Sequence, residues 1–174
     1  MIFPIVTQRL SITKFEEGMA EQLHLNSIDD DNRRFVPDEV FEMVEVAQEK
    51  ITQFRQWYTQ ENTPLVYPIL LHNGQQIGYV QAVPYKNGWE LGYHIAKNFT
   101  GHGYATEAVG AFLPLIMQKL GISEIQGICL AENIASRRVL EKCGFVLAFE
   151  GRGKYQGKKR PICCFVYLEG ARSN

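Results

Sequence analysis

The amino-acid sequence predicts one α/β domain built on a mixed, mostly antiparallel sheet flanked by helices, and three observations predict it. Two Asn-Gly pairs, Asn73-Gly74 and Asn87-Gly88, separate runs rich in β-branched and aromatic residues, so three strands should follow one another through tight turns. The third strand, Trp89 to Ile95, leads through Asn98-Phe99-Thr100-Gly101-His102-Gly103-Tyr104 into a helical pattern opening near Ala105. Beyond that helix, Ile125 to Leu130 is a buried-strand pattern that the crossover places parallel to the strand before it. A chain of 174 residues suits one domain, 1–174, and can bury a full core.

Taken in order, Arg9-Leu10-Ser11-Ile12-Thr13 alternates as a first strand, with Leu10 and Ile12 on one face. Glu16 to Ser27 follows as a short helix with Met19, Ala20 and Leu23 inward. Asp29-Asp30-Asp31-Asn32 lacks the twelve-residue calcium pattern and is expected as a solvated turn. Pro37-Asp38 leads into the clearest helix of the front half, where Val40, Ala47, Ile51, Phe54 and Tyr58 recur at helical spacing. Strands are expected at Val66 to Leu71 and Gln76 to Val83, with Pro84 ending the second as an edge or bulge residue would. In the helix from Ala105 to Lys119, Pro114 should produce a kink against the Gly110 carbonyl, and Gly121 ends it. A helix over Ala135 to Lys142, closed by Gly144, precedes a hairpin of Phe145 to Phe149 and Ile162 to Leu168. Between those strands lies a basic loop holding Arg152, Lys154, Lys158, Lys159 and Arg160, and residues 171–174 read as a frayed tail.

Composition narrows the classes. An apolar content of 45% and a charged content of 21% are those of a soluble globular protein, and a net charge of -1 supplies no global field for nucleic acid. Residues 1–62 hold 12 acidic and 6 basic side chains, and 63–174 hold 7 and 12, an asymmetry that fits an anionic cofactor and a cationic acceptor. Cys129, Cys143, Cys163 and Cys164 have no metal spacing and are expected as free thiols, mostly buried; the four histidines form no metal set, so no metal is expected. Met1-Ile2-Phe3-Pro4 shows no secretory pattern and no apolar run reaches membrane-spanning length, so a cytoplasmic protein without a membrane partner is the expectation.

The glycine turn is where chemistry enters. A short strand that delivers such a turn into a helix makes the turn's N–H groups and the helix's first unpaired N–H groups converge on one point, which suits a phosphate. The three-glycine dinucleotide fingerprint is incomplete, because no third glycine follows Gly103 at the right place, and the Lys-Ser/Thr of a triphosphate loop is absent.

Asn98-x-x-Gly101-x-Gly103, running into Tyr104-Ala105-Thr106-Glu107-Ala108, resembles the acyl-coenzyme A binding motif of the GNAT superfamily of N-acetyltransferases. The superfamily usually opens this motif with Gln or Arg where this chain has Asn98. The stretch from Asn133 to Phe145 and Tyr155-x-Gly157-x-x-Arg160 are similar to the branch containing the ribosomal-protein N-terminal acetyltransferases of RimJ and RimL type. The resemblance spans Thr7-x-Arg9-Leu10 to Tyr167 and implies the acyl-CoA N-acyltransferase fold, whose first strand forms an edge and whose central sheet splays to admit acetyl-CoA. It also implies acetyl transfer to a primary amine by direct attack, and it is compatible with a homodimer. The acceptor is left open among a protein N-terminus, a polyamine, an amino sugar and an amino acid. A non-catalytic acyl-CoA-binding sensor or protein-interaction module on the same fold is the alternative.

The resemblance places the cofactor against Tyr93, His94, Ile95, Asn98, Gly101, His102, Gly103, Tyr104, Ala105, Thr106, Asn133 and Ser136. Asn133 is a cofactor-arm ligand by that analogy and a helix N-cap by its own position. Ser136 is the candidate proton donor to the leaving thiolate; otherwise it merely caps the first turn. Glu90 is the candidate general base, directly or through water, since burial would raise its pKa; otherwise it is a solvated cross-strand partner. His94 shares strand parity with Glu90 and is a second candidate. Trp57, Tyr58, Glu90 and Tyr155 are candidate walls of the acceptor cleft, although Phe54, Trp57 and Tyr58 also read as core. The basic loop reads as solvated, or as a lid or 3′-phosphate contact, and poorly as a nucleic-acid patch.

Overall fold

The computed structural model describes residues 3–170, so the 171–174 tail lies outside the described residues. Its strands are β1 (Ile5–Val6), β2 (Leu10–Ile12), β3 (Leu65–Leu71), β4 (Gln76–Tyr85), β5 (Gly88–Ile95), β6 (Glu124–Leu130), β7 (Val146–Tyr155) and β8 (Lys158–Leu168). They form one sheet in the order β1-β2-β3-β4-β5-β6-β8-β7, antiparallel throughout except where β5 meets β6 in parallel. The helices are α1 (Ala20–Ser27), α2 (Asp30–Phe35), α3 (Val44–Trp57), α4 (Tyr104–Leu120) and α5 (Ile134–Lys142).

Strand alternation sends the apolar side chains to two cores on opposite faces. Leu65, Tyr67, Ile69, Val80 and Ala82 pack with Ala108, Val109, Phe112 and Ile116 of α4. Val66 and Tyr79 face the other way, toward Phe15, Leu23 of α1 and Ala47, Ile51 and Phe54 of α3. Both faces are thereby covered, and ligand access is left to a break in the sheet.

Four sequence expectations are corrected. The segment at Arg9–Thr13 is not the edge, because β1 pairs with β2 outside it. Asp29 to Asn32 is not a solvated turn: the Asp29 side chain caps α2 by accepting from Asn32 N–H, with Asp30 and Asp31 in the first turn and Arg33 and Arg34 in the last. Those charges complement the helix dipole at both ends. Pro37–Glu39 is a separate 3-10 turn, Val40 is extended, and α3 starts only at Val44. The basic stretch is not a loop but the outer half of a long hairpin, in which Tyr155 pairs with Lys158 across Gln156 (φ 44°) and Gly157 (φ 77°). Its charged side chains sit on outer strands where solvent takes them.

Two smaller points concern prolines. Pro84 stays in register opposite Trp89, beyond the last β3 pairing at Leu65–Ala82, so its missing N–H leaves no gap in the β3–β4 ladder. The helix α4 runs through Pro114 without interruption and ends at Gly121 in the left-handed conformation (φ 64°).

Candidate active site

The break in the sheet is between β5 and β6, which share the register pair Glu90–Gln126 and then part. Beyond it, the backbone of Leu91 to Ile95 bonds to β4 on one side and leaves its β6-facing side open. The glycine turn lies at the end of this opening. Gly101 (φ 79°) and Gly103 (φ 80°) both take left-handed backbone conformations, with Gly103 as the residue preceding α4. No side chain caps α4, and Gly103, Tyr104, Ala105 and Thr106 at its start line the cavity at the opening, an arrangement that suits an anion.

The turn is braced from β2. Arg9 Nε donates to Glu107 Oε2 at 2.6 Å, Arg9 Nη1 donates to the His102 carbonyl at 2.8 Å, and the guanidinium lies 4.6 Å from the Tyr104 ring centre. The Thr7 hydroxyl also donates to Glu107 at 2.6 Å, and these bonds hold the Glu107 carboxyl below its usual pKa against the opposing pull of burial. The sequence marks Arg9 as the start of a strand and as part of a resemblance; its bond to the turn spans 93 residues and no local pattern announces it.

Two cavities meet at the break. The first, about 420 Å³, is lined by Gly101, Gly103, Tyr104, Ala105 and Thr106 of the turn and α4, and by His94 and Ile95 of β5. The second, about 330 Å³, is lined by Glu90, Gln81, Glu39, Lys154 and Tyr155. Val36, Tyr93, Asn133 and Ser136 line both and form the junction. There the Tyr93 hydroxyl lies 2.8 Å from Ser136 Oγ and donates to the Ser136 carbonyl at 2.9 Å. Asn133 Oδ1 accepts from the Ser136 N–H at 3.2 Å, so its oxygen caps α5 while its amide N–H₂ remains for a ligand. Burial raises the Tyr93 phenol well above its usual range, so it stays protonated at the junction.

In the second cavity Glu90 is pushed up to about pKa 7, first by burial and then by the negative charge of Glu39. Glu39 was absent from the sequence reading. It sits in the 3-10 turn after α2, where Tyr79 OH donates to its Oε2 and Gln81 Nε2 to its Oε1 at 3.2 Å. Burial raises its pKa against the effect of both bonds.

Some expected site residues lie elsewhere. Trp57 packs in the α1–α3 core, and Tyr58 donates to the Val66 carbonyl beside a separate cavity lined by Phe3, Lys14, Tyr67 and Lys119. Neither is a wall of the Glu90 cavity, because α3 covers the closed part of the sheet. Asn98 and His102 are exposed and do not line the glycine-turn cavity; His102 Nδ1 instead bonds the Thr100 carbonyl at 2.9 Å. His94 lines the glycine-turn cavity rather than the Glu90 cavity, is bonded through Nε2 to Asn32 Nδ2 at 2.7 Å, and is held by burial at about pKa 4. A neutral, fixed imidazole on that side orients α2 over β5. It is not placed to receive a proton beside Glu90.

Residues 9–146 match the acetyltransferase (GNAT) domain family. The chain is 28% identical over 142 residues to the uncharacterized N-acetyltransferase YnaD of Bacillus subtilis (strain 168), covering 80% of this chain and 81% of that protein. It is 24% identical to an acetyltransferase of the GNAT family from Bacillus anthracis, with a TM-score of 0.78 over 95% of this chain and 98% of the other. RimL, a ribosomal-protein alpha-N acetyltransferase solved in complex with coenzyme A, aligns with a TM-score of 0.80 at 18% identity, covering 98% and 99% of the two chains. These structures share the splayed acyl-CoA N-acyltransferase fold expected from the sequence.

Proposed function

Because the chain belongs to the acetyltransferase (GNAT) domain family, we propose that acetyl-CoA binds on the glycine-turn side of the junction and a primary amine on the Glu90 side. Membership makes the chain an acetyl-CoA-dependent N-acetyltransferase; the residue roles and the acceptor are the proposal. The observation that carries it is the meeting of two cavities at Tyr93, Asn133 and Ser136. A donor and an acceptor approaching from opposite sides then need no covalent enzyme intermediate.

Acetyl-CoA supplies an activated thioester carbonyl. The N–H groups of Gly101 to Ala105 and the N-terminus of α4 hold its pyrophosphate, and the free backbone of Gly92 to Ile95 pairs with its arm. The free amide N–H₂ of Asn133 donates to the same arm. Glu90, titrating near neutrality, accepts the proton that the acceptor's ammonium must lose. The nitrogen lone pair would form the new C–N bond as the C–S bond breaks. The sulfur would take a proton from Ser136 Oγ, and Tyr93 OH, 2.8 Å away, would replace it. The second proton, shed by the acylated nitrogen, would return through solvent to Tyr93.

Peptide N-termini, polyamines, amino sugars and amino acids are the candidate acceptors. The test is mass spectrometry of amines incubated with the protein and acetyl-CoA. An N-acetylated amide formed one-for-one with free coenzyme A is expected. Tight coenzyme A binding with no amide from any acceptor class would overturn the catalytic reading in favour of a sensing module.

A further inference from the structure

Beside the Glu90 cavity, contacts join α2 and the 3-10 turn after it to the β7–β8 hairpin. The Asp38 N–H donates to Gln156 Oε1 at 2.9 Å, tying the 3-10 turn after α2 to the tip of the β7–β8 hairpin. Arg160 Nη1 donates to the Arg34 carbonyl at 3.4 Å, and Arg34 Nη2 meets Glu132 Oε2 at 2.7 Å. At about 330 Å³ the cavity lies at the small end of the range for small-molecule pockets, roughly 300–1,000 Å³. A cavity of that size suits a short flexible molecule.

The charges lining it are mostly negative. Asp38, Glu39 and Glu90 line the cavity against one cation, Lys154. The two inner carboxylates have different surroundings. Glu39 has a donor on each oxygen, Tyr79 OH and Gln81 Nε2, and is therefore fixed in place as an acceptor. The Glu90 carboxylate makes no hydrogen bond to another protein group among the described residues and is left to exchange protons. Both carboxylates and Tyr155 line the same cavity. A cation seated against Glu39 would offset the burial that disfavours its charge.

We propose that the acceptor is a small diamine, with its second cationic group seated on Glu39 beside Gln81, while its reacting amine faces Glu90. This rests on the acetyl-transfer reading above and adds the substrate class. The rings of Tyr85 and Tyr155 supply further cation-compatible walls.

The test compares kcat/KM for 1,4-diaminobutane, butylamine and the free N-terminus of a serine tripeptide amide at saturating acetyl-CoA. One charge-assisted contact gives the diamine an advantage of about tenfold or more over butylamine. In Glu39→Gln that advantage falls below about threefold, while calorimetric coenzyme A affinity verifies that the variant is folded. Equal kcat/KM for diamine and butylamine in the unmodified protein would overturn the proposal without any variant. So would a preference for the peptide, or a diamine advantage that survives Glu39→Gln. Failure of the underlying reading would differ, with no amine of any class releasing thiol.

Discussion

The Tyr93 hydroxyl and Ser136 Oγ lie 2.8 Å apart, joining β5 to the first turn of α5 across the break in the sheet. Because both residues line both cavities, this pair marks where an acyl group would pass from one side to the other. On the proposed role of Ser136, the pair would act as one unit in proton delivery. Ser136→Ala and Tyr93→Phe should each lower kcat by about 10²-fold, with the double variant little worse than either single one. Coenzyme A affinity, read by calorimetry, should change much less than kcat in Ser136→Ala. Equal losses of kcat and affinity would remove Ser136 from proton transfer.

On its proposed role as base, Glu90 should give the reaction its pH dependence. The base must be ionised, so kcat should fall with unit slope below about pH 7 and level off above it. The groups facing it are Glu39, Asp38, Lys154, Tyr155 and Tyr93. Glu90→Gln should be slow and should lack the acidic limb; a variant profile that keeps the limb would assign it to another group.

The same carboxylate has a stability consequence of definite sign. Its folded-state pKa is raised, so the folded chain binds more protons than the unfolded one between the ordinary carboxylate range and about pH 7. Stability must therefore decline as pH rises through that window. Glu90→Gln should melt at a higher temperature than the unmodified protein at pH 8, and the gap should close by pH 4. A gap independent of pH would contradict the assignment.

Two glycines separate packing from backbone conformation. A Cβ on Gly78 would sit 1.9 Å from the His94 carbonyl oxygen, which belongs to the strand lining the break. Gly78→Ala should thus destabilise the fold by about 3 kcal/mol or more in urea unfolding. At Gly101 a Cβ meets nothing within 4 Å, but the φ of +79° disfavours any L side chain. Gly101→Ala should cost only about 1–2 kcal/mol and should act chiefly on coenzyme A affinity.

How much of this was legible depended on the range of each interaction. Asn73-Gly74 and the Gly101–Gly103 turn were readable because turn chemistry is local. At the second hairpin the partner of Tyr85 is Gly88, so Lys86 and Asn87 make the turn and Lys86 takes the left-handed φ of 52°; the hairpin was legible but its turn residues were not. Tyr93 and Ser136 were each named as cofactor contacts, yet their hydrogen bond spans 43 residues and exists only through the crossover. Glu39 was illegible because its partners lie 40 and 42 residues away and its own segment is a three-residue turn. The β7–β8 extension was misread because an exposed outer hairpin needs no apolar alternation: Arg152, Lys154, Lys158 and Lys159 are all exposed.

The central claim is that the two cavities hold a donor and an acceptor of one acetyl group. Its most direct test is the rate of thiol release from acetyl-CoA, measured with and without each class of primary amine at pH 8. The expected result is slow release alone and a saturable stimulation by at least one amine class, abolished in large part by Glu90→Gln. Coenzyme A bound at the glycine turn with no stimulation by any amine, or stimulation undiminished in Glu90→Gln, would contradict the account.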